Sequence, residues 1–333
     1  MNGWFKLSTK DREALCEVTS VRLGIATVSV EKDFWVCWTL REMFTLPEWG
    51  PQLTFKGGTS LSKAWKLIDR FSEDLDIVIE RKFLGFEGSA LSRNQVEKLK
   101  NVCSKRIKED LLPTLHSRIA RAMPKGEKWT LELAGKNVDP DQQTLLFTYP
   151  SVLPEKQTYV ARSVKIELGA RSETEPAEEP TIQPFVVDDA NEALGPSAFT
   201  VKTVAARRTF WEKAMLLHEE YHRPAGKPIK PGLSRHYYDL WSLIEKGIAA
   251  EAVADSSLFE RVALHSKSFF RQTWLDYETL KRGTLRMVPP ASRLGKWRGD
   301  YEAMRGEMFL SEPPEFDEIL AAVKKFESSF NRV

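Results

Sequence analysis

Two carboxylates stand two residues apart in Arg70-Phe71-Ser72-Glu73-Asp74-Leu75-Asp76-Ile77. Upstream lies a glycine pair, in Phe55-Lys56-Gly57-Gly58-Thr59-Ser60-Leu61-Ser62-Lys63. On a strand, residues i and i+2 point to the same side, so Asp74 and Asp76 put two like charges on one face. A divalent cation relieves that repulsion and takes hard oxygen ligands from both. Two glycines leaving a strand and entering a helix let the backbone approach a phosphate, where free N–H groups meet the positive end of the helix dipole. Thr59 and Ser60 can add hydroxyls. The turn is not a Walker A loop, because no Gly-Lys-Ser/Thr closes it. Taken singly, the turn also reads as a helix cap and the Asp pair as a solvent-facing strand edge. Together they suit triphosphate binding.

Further groups could join them. Glu167 lies in Val164-Lys165-Ile166-Glu167-Leu168, on the face opposite the apolar residues. Beside the Asp strand it would complete a two-metal site; elsewhere it forms a surface ladder with Lys165. Lys213, in Thr209-Phe210-Trp211-Glu212-Lys213, is a compact cation suited to a triphosphate or to leaving pyrophosphate. Asp239 sits among Tyr238, Leu240 and Trp241, where a carboxylate needs a partner. Arg235, one helical turn earlier, is the partner that spacing suggests, and such a pair also reads as a helix brace. His236 and His218 lack zinc spacing and read as structural or surface residues.

The elements that must hold these groups follow from the pattern. Ser8-x-x-Asp11 resembles a capping box, followed by an amphipathic stretch to about Leu23. A second helix is expected from Val30 to Phe44, a strand over Leu53–Lys56, a helix from Thr59 through Ile68, and a strand over Leu75–Ile79. A long polar helix runs from Arg93 to Leu112, stopped by Pro113. Residues 129–169 read as strands, 173–184 as a loop and 199–203 as one more strand. From Thr209 the pattern turns helical, with another helix over Arg235–Lys246 and a last one from near Pro314. The expected architecture is α+β, with N-terminal helices on a mixed-sheet core spanning 1–204. A helical C-terminal domain, 205–333, closes over the site.

Composition sets outer limits. The chain has 333 residues, 42% apolar and 29% charged, which excludes wholesale disorder. No apolar run approaches the ~20 residues of a membrane helix, and the opening residues lack the shape of a secretory signal. Cys16, Cys37 and Cys103 are too far apart for a zinc ribbon or a disulfide framework, so a reducing, cytoplasmic setting is expected. Net charge is only +2, but its distribution is uneven. Leu280 to Gly299 carries six basic residues (Lys281, Arg282, Arg286, Arg293, Lys296, Arg298) and no acid. Arg93 to Lys136 carries eleven basic residues against five acids. Each block could seat a polyanion or be a solvated face.

These motifs resemble, in order, those of the AbiEii/AbiGii-type nucleotidyltransferase toxins, which include the MenT toxins and belong to the DNA polymerase β-like nucleotidyltransferase superfamily. Gly57-Gly58-Thr59-Ser60-Leu61 is similar to the family's first motif and Arg70 to Asp76 to its second. Val30-Glu31-Lys32-Asp33-Phe34-Trp35 resembles a segment that often precedes the first. Val164 to Glu167 resembles the later strand, Thr209 to Lys213 the Thr-Phe-x-Glu-Lys motif, and Arg235-His236-Tyr237-Tyr238-Asp239-Leu240 the last motif. The fifteen residues between Gly58 and Asp74 exceed the general superfamily spacing but are usual for this branch. The resemblance implies a nucleotidyltransferase fold and NMP transfer from a nucleoside triphosphate. It implies Mg²⁺ on Asp74, Asp76 and Glu167, with Asp74, Asp76, Lys213 and Asp239 as catalytic residues. Gly57, Gly58, Thr59, Ser60, Lys63 and Arg235 would bind the nucleotide. It further implies a bacterial toxin restrained by a separately encoded antitoxin, with the tRNA 3′ end or another RNA as acceptor. A protein hydroxyl as acceptor, or a non-catalytic nucleotide-binding module, are the competing readings.

Overall fold

The computed structural model describes residues 1–88, 91–154 and 161–332. The chain divides into two compact units. The first comprises Met1–Ala64, Phe71–Glu87 and Arg93–Thr203; the second comprises Trp65–Arg70, Gly88–Ser92 and Val204–Val333.

In the first unit, α1 (Thr9–Leu23) starts at the expected capping box, Ser8 with Asp11, and ends at Gly24. α2 (Thr27–Phe44) is buried almost all round, its charged Glu31, Lys32 and Asp33 included. β1 (Leu53–Lys56) runs straight into α3 (Gly57–Lys63), which is shorter than the helix expected through Ile68. β2 (Leu75–Ile79) has its expected bounds. α4 (Arg93–Arg106) and α5 (Leu112–Ala122) are joined by a π-helical turn over Ile107–Leu111. Pro113 therefore does not stop the helix. It falls in the first turn of α5, where its missing N–H is not needed.

β3 (Thr130–Leu133), β4 (Thr144–Thr148) and β5 (Ser163–Gly169) supply the strands expected between 129 and 169, of which 155–160 lie outside the described residues. The segment expected as a loop contributes two short strands, β6 (Ala177–Glu178) and β7 (Thr181–Ile182). After α6 (Val187–Leu194), the strand expected at 199–203 appears as β8 (Phe199–Thr200) and β9 (Thr203–Val204).

Among the described residues, the main sheet has seven strands in the order β3-β4-β5-β2-β1-β9-β6. β2 is antiparallel to β1 and parallel to β5, so the sheet is mixed. Its inward residues meet α2 in an aromatic cluster: Trp35 stacks on Tyr149 and Trp38 on Phe147. These rings supply much of the apolar burial that holds α2 to the sheet.

The second unit is helical: α7 (Ala206–His222), α8 (Arg235–Glu245), α9 (Ile248–Ala254), α10 (Ser256–Phe269), α11 (Ala291–Met308) and α12 (Phe316–Asn331). Phe210 and Trp211 of α7 meet Phe259, Phe326 and Phe330, while Tyr237 of α8 meets Trp297 and Phe316. No helix among the described residues is long and apolar enough to cross a membrane.

Candidate active site

Gly57 opens α3 with φ +79°, a left-handed conformation that glycine adopts without strain. Its missing side chain also makes room: a Cβ at Gly57 would lie 1.9 Å from Asp76 Oδ2. The glycine turn and the acidic strand are thus packed against each other. The two hydroxyls of the turn brace it from within. Thr59 Oγ1 donates to the Asp74 carbonyl at 2.6 Å, and Ser60 Oγ donates to the Gly57 carbonyl at 2.8 Å. Both side chains are buried, and their hydroxyls shape the turn.

Strand register gathers the carboxylates. Asp76 is the cross-strand partner of Lys56 on β1 and of Glu167 on β5. Asp74 and Asp76 are each half-buried, and Asp76 shares a side-chain hydrogen bond with Glu167. Burial, and then the Glu167 charge, raises the Asp76 carboxyl to about 7. Asp74 is raised as well, first by burial and also by Glu167 and Glu73, against the opposing pull of Lys165 and Lys32. Glu167 is also ion-paired with Lys165, the ladder contact that the alternation allowed.

Among the described residues, no three His, Cys, Asp or Glu side chains are grouped so that together they could hold a metal ion. Asp74 and Asp76 are nonetheless oxygen donors of the kind a hard divalent cation takes. Burial, and then the Glu167 charge, lets Asp76 hold a proton near neutrality, and a bound cation would offset that penalty.

Three consecutive charges on α2 hold the surrounding segments. Glu31 accepts from Ser151 Oγ at 2.6 Å and from the Val152 N–H at 2.7 Å. Lys32 pairs with Glu73, just ahead of Asp74, at 2.5 Å. Asp33 pairs with Lys63 at the end of α3 at 2.6 Å and accepts from the Phe185 N–H. Lys63 was expected to bind nucleotide. Its ammonium is instead buried between Asp33 and the Phe185 ring, because α3 turns its last residue toward α2.

In the second unit, Lys213 and Asp239 are brought together, with Nζ 2.7 Å from Oδ2. Arg235 is not the partner of Asp239: it is exposed, and the carboxylate is held by Arg70 and Lys213. Burial alone would raise Asp239, but Arg70 and Lys213 keep its carboxyl below the ordinary carboxylate range. Burial lowers Lys213, with Asp239 opposing. His236 Nδ1 lies 3.3 Å from Lys213 Nζ, and burial and that ammonium hold the imidazole neutral. Arg70 and His236 are site neighbours that spacing did not assign. Arg70 was visible only as the head of the acidic motif. His218 is structural, as its spacing suggested: its ring nitrogens meet the Arg286 N–H and Thr279 Oγ1.

A glycine turn packed on a carboxylate-bearing strand of a mixed sheet is the arrangement expected of a nucleotidyltransferase. The chain belongs to the AbiEii family, described as nucleotidyl transferase AbiEii toxin of a type IV toxin–antitoxin system, whose model matches residues 38–322. Membership implies a nucleoside triphosphate substrate and an antitoxin partner. No curated protein matches. Among solved structures, the chain is similar to MenT4, a nucleotidyltransferase toxin from Mycobacterium tuberculosis H37Rv. Identity there is 16%, over 92% of this chain and 98% of that one, with a TM-score of 0.36.

Proposed function

We propose that this nucleotidyltransferase moves an NMP group from a nucleoside triphosphate to an RNA acceptor, the tRNA 3′ end being the first candidate, and that a separately encoded antitoxin restrains it. The observation that carries the reading is the register of Asp76 with Glu167 directly beneath Gly57. Asp74, Asp76 and Glu167 would hold Mg²⁺, which when bound neutralises charge on the triphosphate oxygens. Gly57 and Gly58 give the phosphates a bare backbone to approach, while Thr59 and Ser60 keep that backbone in shape. Lys213, fixed by Asp239, is the cation that offsets charge on the reacting phosphate or on pyrophosphate, and Asp239 is needed to hold it. The acceptor hydroxyl attacks the α-phosphate, pyrophosphate leaves, and catalysis is mainly positioning and charge neutralisation.

For an RNA acceptor, the supporting surface is the first basic block. Lys98, Lys108, Arg121, Lys125, Lys128 and Lys136 are all exposed. Among the basic residues of the second block only Arg293 is buried, but four of its arginines have partners within the chain. Arg282 donates to the Phe330 carbonyl and Arg293 to those of Pro224 and Lys227, while Arg286 pairs with Glu327 and Arg298 with Asp317. The three cysteines are free and buried, which suits a reducing cytoplasm. Incubation of a lysate with α-labelled NTP, followed by RNase or protease, tests the acceptor. Label lost to RNase is expected. Label that survives RNase and is lost to protease would replace this reading with protein nucleotidylation.

A further inference from the structure

We propose that Arg70 is a positioning residue for transfer, carried into the second unit by a short detour of the chain and acting through Asp239 on Lys213. This rests on the reading of Lys213 as the functional cation.

The detour is visible residue by residue. After α3 the chain leaves the first unit, and Trp65–Arg70 belong to the second; the first unit resumes at Phe71. Trp65 Nε1 donates to the Val204 carbonyl at 3.1 Å, and Ser242 Oγ donates to the Leu67 carbonyl at 2.5 Å. The Asp69 N–H donates to Tyr238 Oη, and its carbonyl accepts from the Leu310 N–H. Arg70 itself bridges to Phe309 through the backbone. These six residues lie within the fifteen that separate Gly58 from Asp74, so the extra spacing has a structural use. It sets Arg70 against Asp239 before the chain returns to place Asp74 and Asp76.

The contact is bidentate. Arg70 Nε lies 2.6 Å from Asp239 Oδ1 and Nη2 lies 2.8 Å from Oδ2, with Arg70 2% and Asp239 0% exposed. A planar fork fixes the plane of a carboxylate, which a single ammonium cannot do. With that plane fixed, Oδ2 has one direction in which to receive Lys213 Nζ. The ammonium is then held between Asp239 Oδ2 and His236 Nδ1. Removing Arg70 leaves Asp239 free to turn and carry Lys213 with it.

Arg70→Ala and Arg70→Lys, assayed for NMP transfer with and without guanidinium far below denaturing concentrations, test this alongside Tm. The expected result is a kcat loss of about 100-fold for Arg70→Ala, the scale of a misplacement near 1 Å, with the NTP KM changed less than about threefold. Guanidinium restores at least about tenfold, because it refills the fork. Arg70→Lys keeps the charge and stays impaired. A folded Arg70→Ala with near wild-type kcat would overturn the proposal, as would activity that follows Tm and ignores guanidinium. If Arg70→Ala does not fold, Arg70→Lys decides: wild-type kcat there also overturns it. A wild-type chain that transfers no NMP would instead sink the proposed reaction. The clamp is then read from Tm, which guanidinium must raise in Arg70→Ala and not in wild type; no rise refutes it.

Discussion

Asp76 and Glu167 face each other in register on parallel strands and share a hydrogen bond, so the site keeps a proton that a lone surface carboxylate would give up. The Asp76 pKa is raised from 3.8 to about 7 on folding. The metal-free folded chain therefore binds more protons than the unfolded chain across that window, and this group's stabilising contribution falls as pH rises through it. Tm measured from about pH 4.5 to 8 should show that slope without Mg²⁺, a smaller slope in Asp76→Asn, and recovery with Mg²⁺ at the alkaline end. Calorimetric Mg²⁺ titration should show tighter binding as pH rises, with proton release near neutrality. An Asp76→Asn variant with the wild-type slope would remove Asp76 as its source.

Gly57→Ala should cripple the enzyme while leaving most of the fold. The new methyl group meets Asp76 Oδ2, and the φ of +79° adds a backbone cost of about 1–2 kcal/mol. Transfer should fall about 100-fold, as expected for displaced reacting groups, with only a modest loss of Tm. A variant of unchanged rate would show that Asp76 does not need its place beneath the turn.

The Asp33–Lys63 pair is a buried support. Asp33→Asn keeps an acceptor for the Phe185 N–H but leaves the Lys63 ammonium without its carboxylate. Denaturant unfolding should report a loss of about 3–5 kcal/mol. Adding Lys63→Met should recover most of it, since the cation is then gone. A double variant as unstable as the single one would argue against an uncompensated charge as the cause.

The two basic blocks should separate in an RNA-binding titration. Arg282→Ala and Arg293→Ala remove guanidinium bonds to backbone carbonyls and should cost about 1–3 kcal/mol of stability each. The salt dependence of RNA binding should not change. Lys125→Ala with Lys128→Ala should leave Tm alone and lower the salt slope by about one for each RNA phosphate that is no longer neutralised. A flattened slope in the folded arginine variants would return the second block to the nucleic-acid surface.

Much of the local fold was legible because the signals are local. The Ser8–Asp11 capping box and the β2 alternation need no partner to be read. Pro113 misled because a π turn placed it in the first turn of the next helix, which no periodicity announces. α11 could have been found: Arg293, Trp297, Tyr301 and Met304, all buried, recur at helical spacing, but glycines and charges dilute the pattern. At the site, Glu167 was readable as a carboxylate facing away from the core, but its place beside Asp76 depends on which strands pair. The ion pairs of Lys63 and Arg70 were not legible for one reason: each has a partner distant in sequence, Asp33 and Asp239.

Purified tRNA, NTPs labelled in turn at the α-phosphate, and the chain with and without Mg²⁺ give the most direct test. The account predicts Mg²⁺-dependent label at the RNA 3′ end with wild type, and none with Asp74→Ala plus Asp76→Ala in a variant that keeps its Tm. Undiminished labelling by that folded double variant would contradict it.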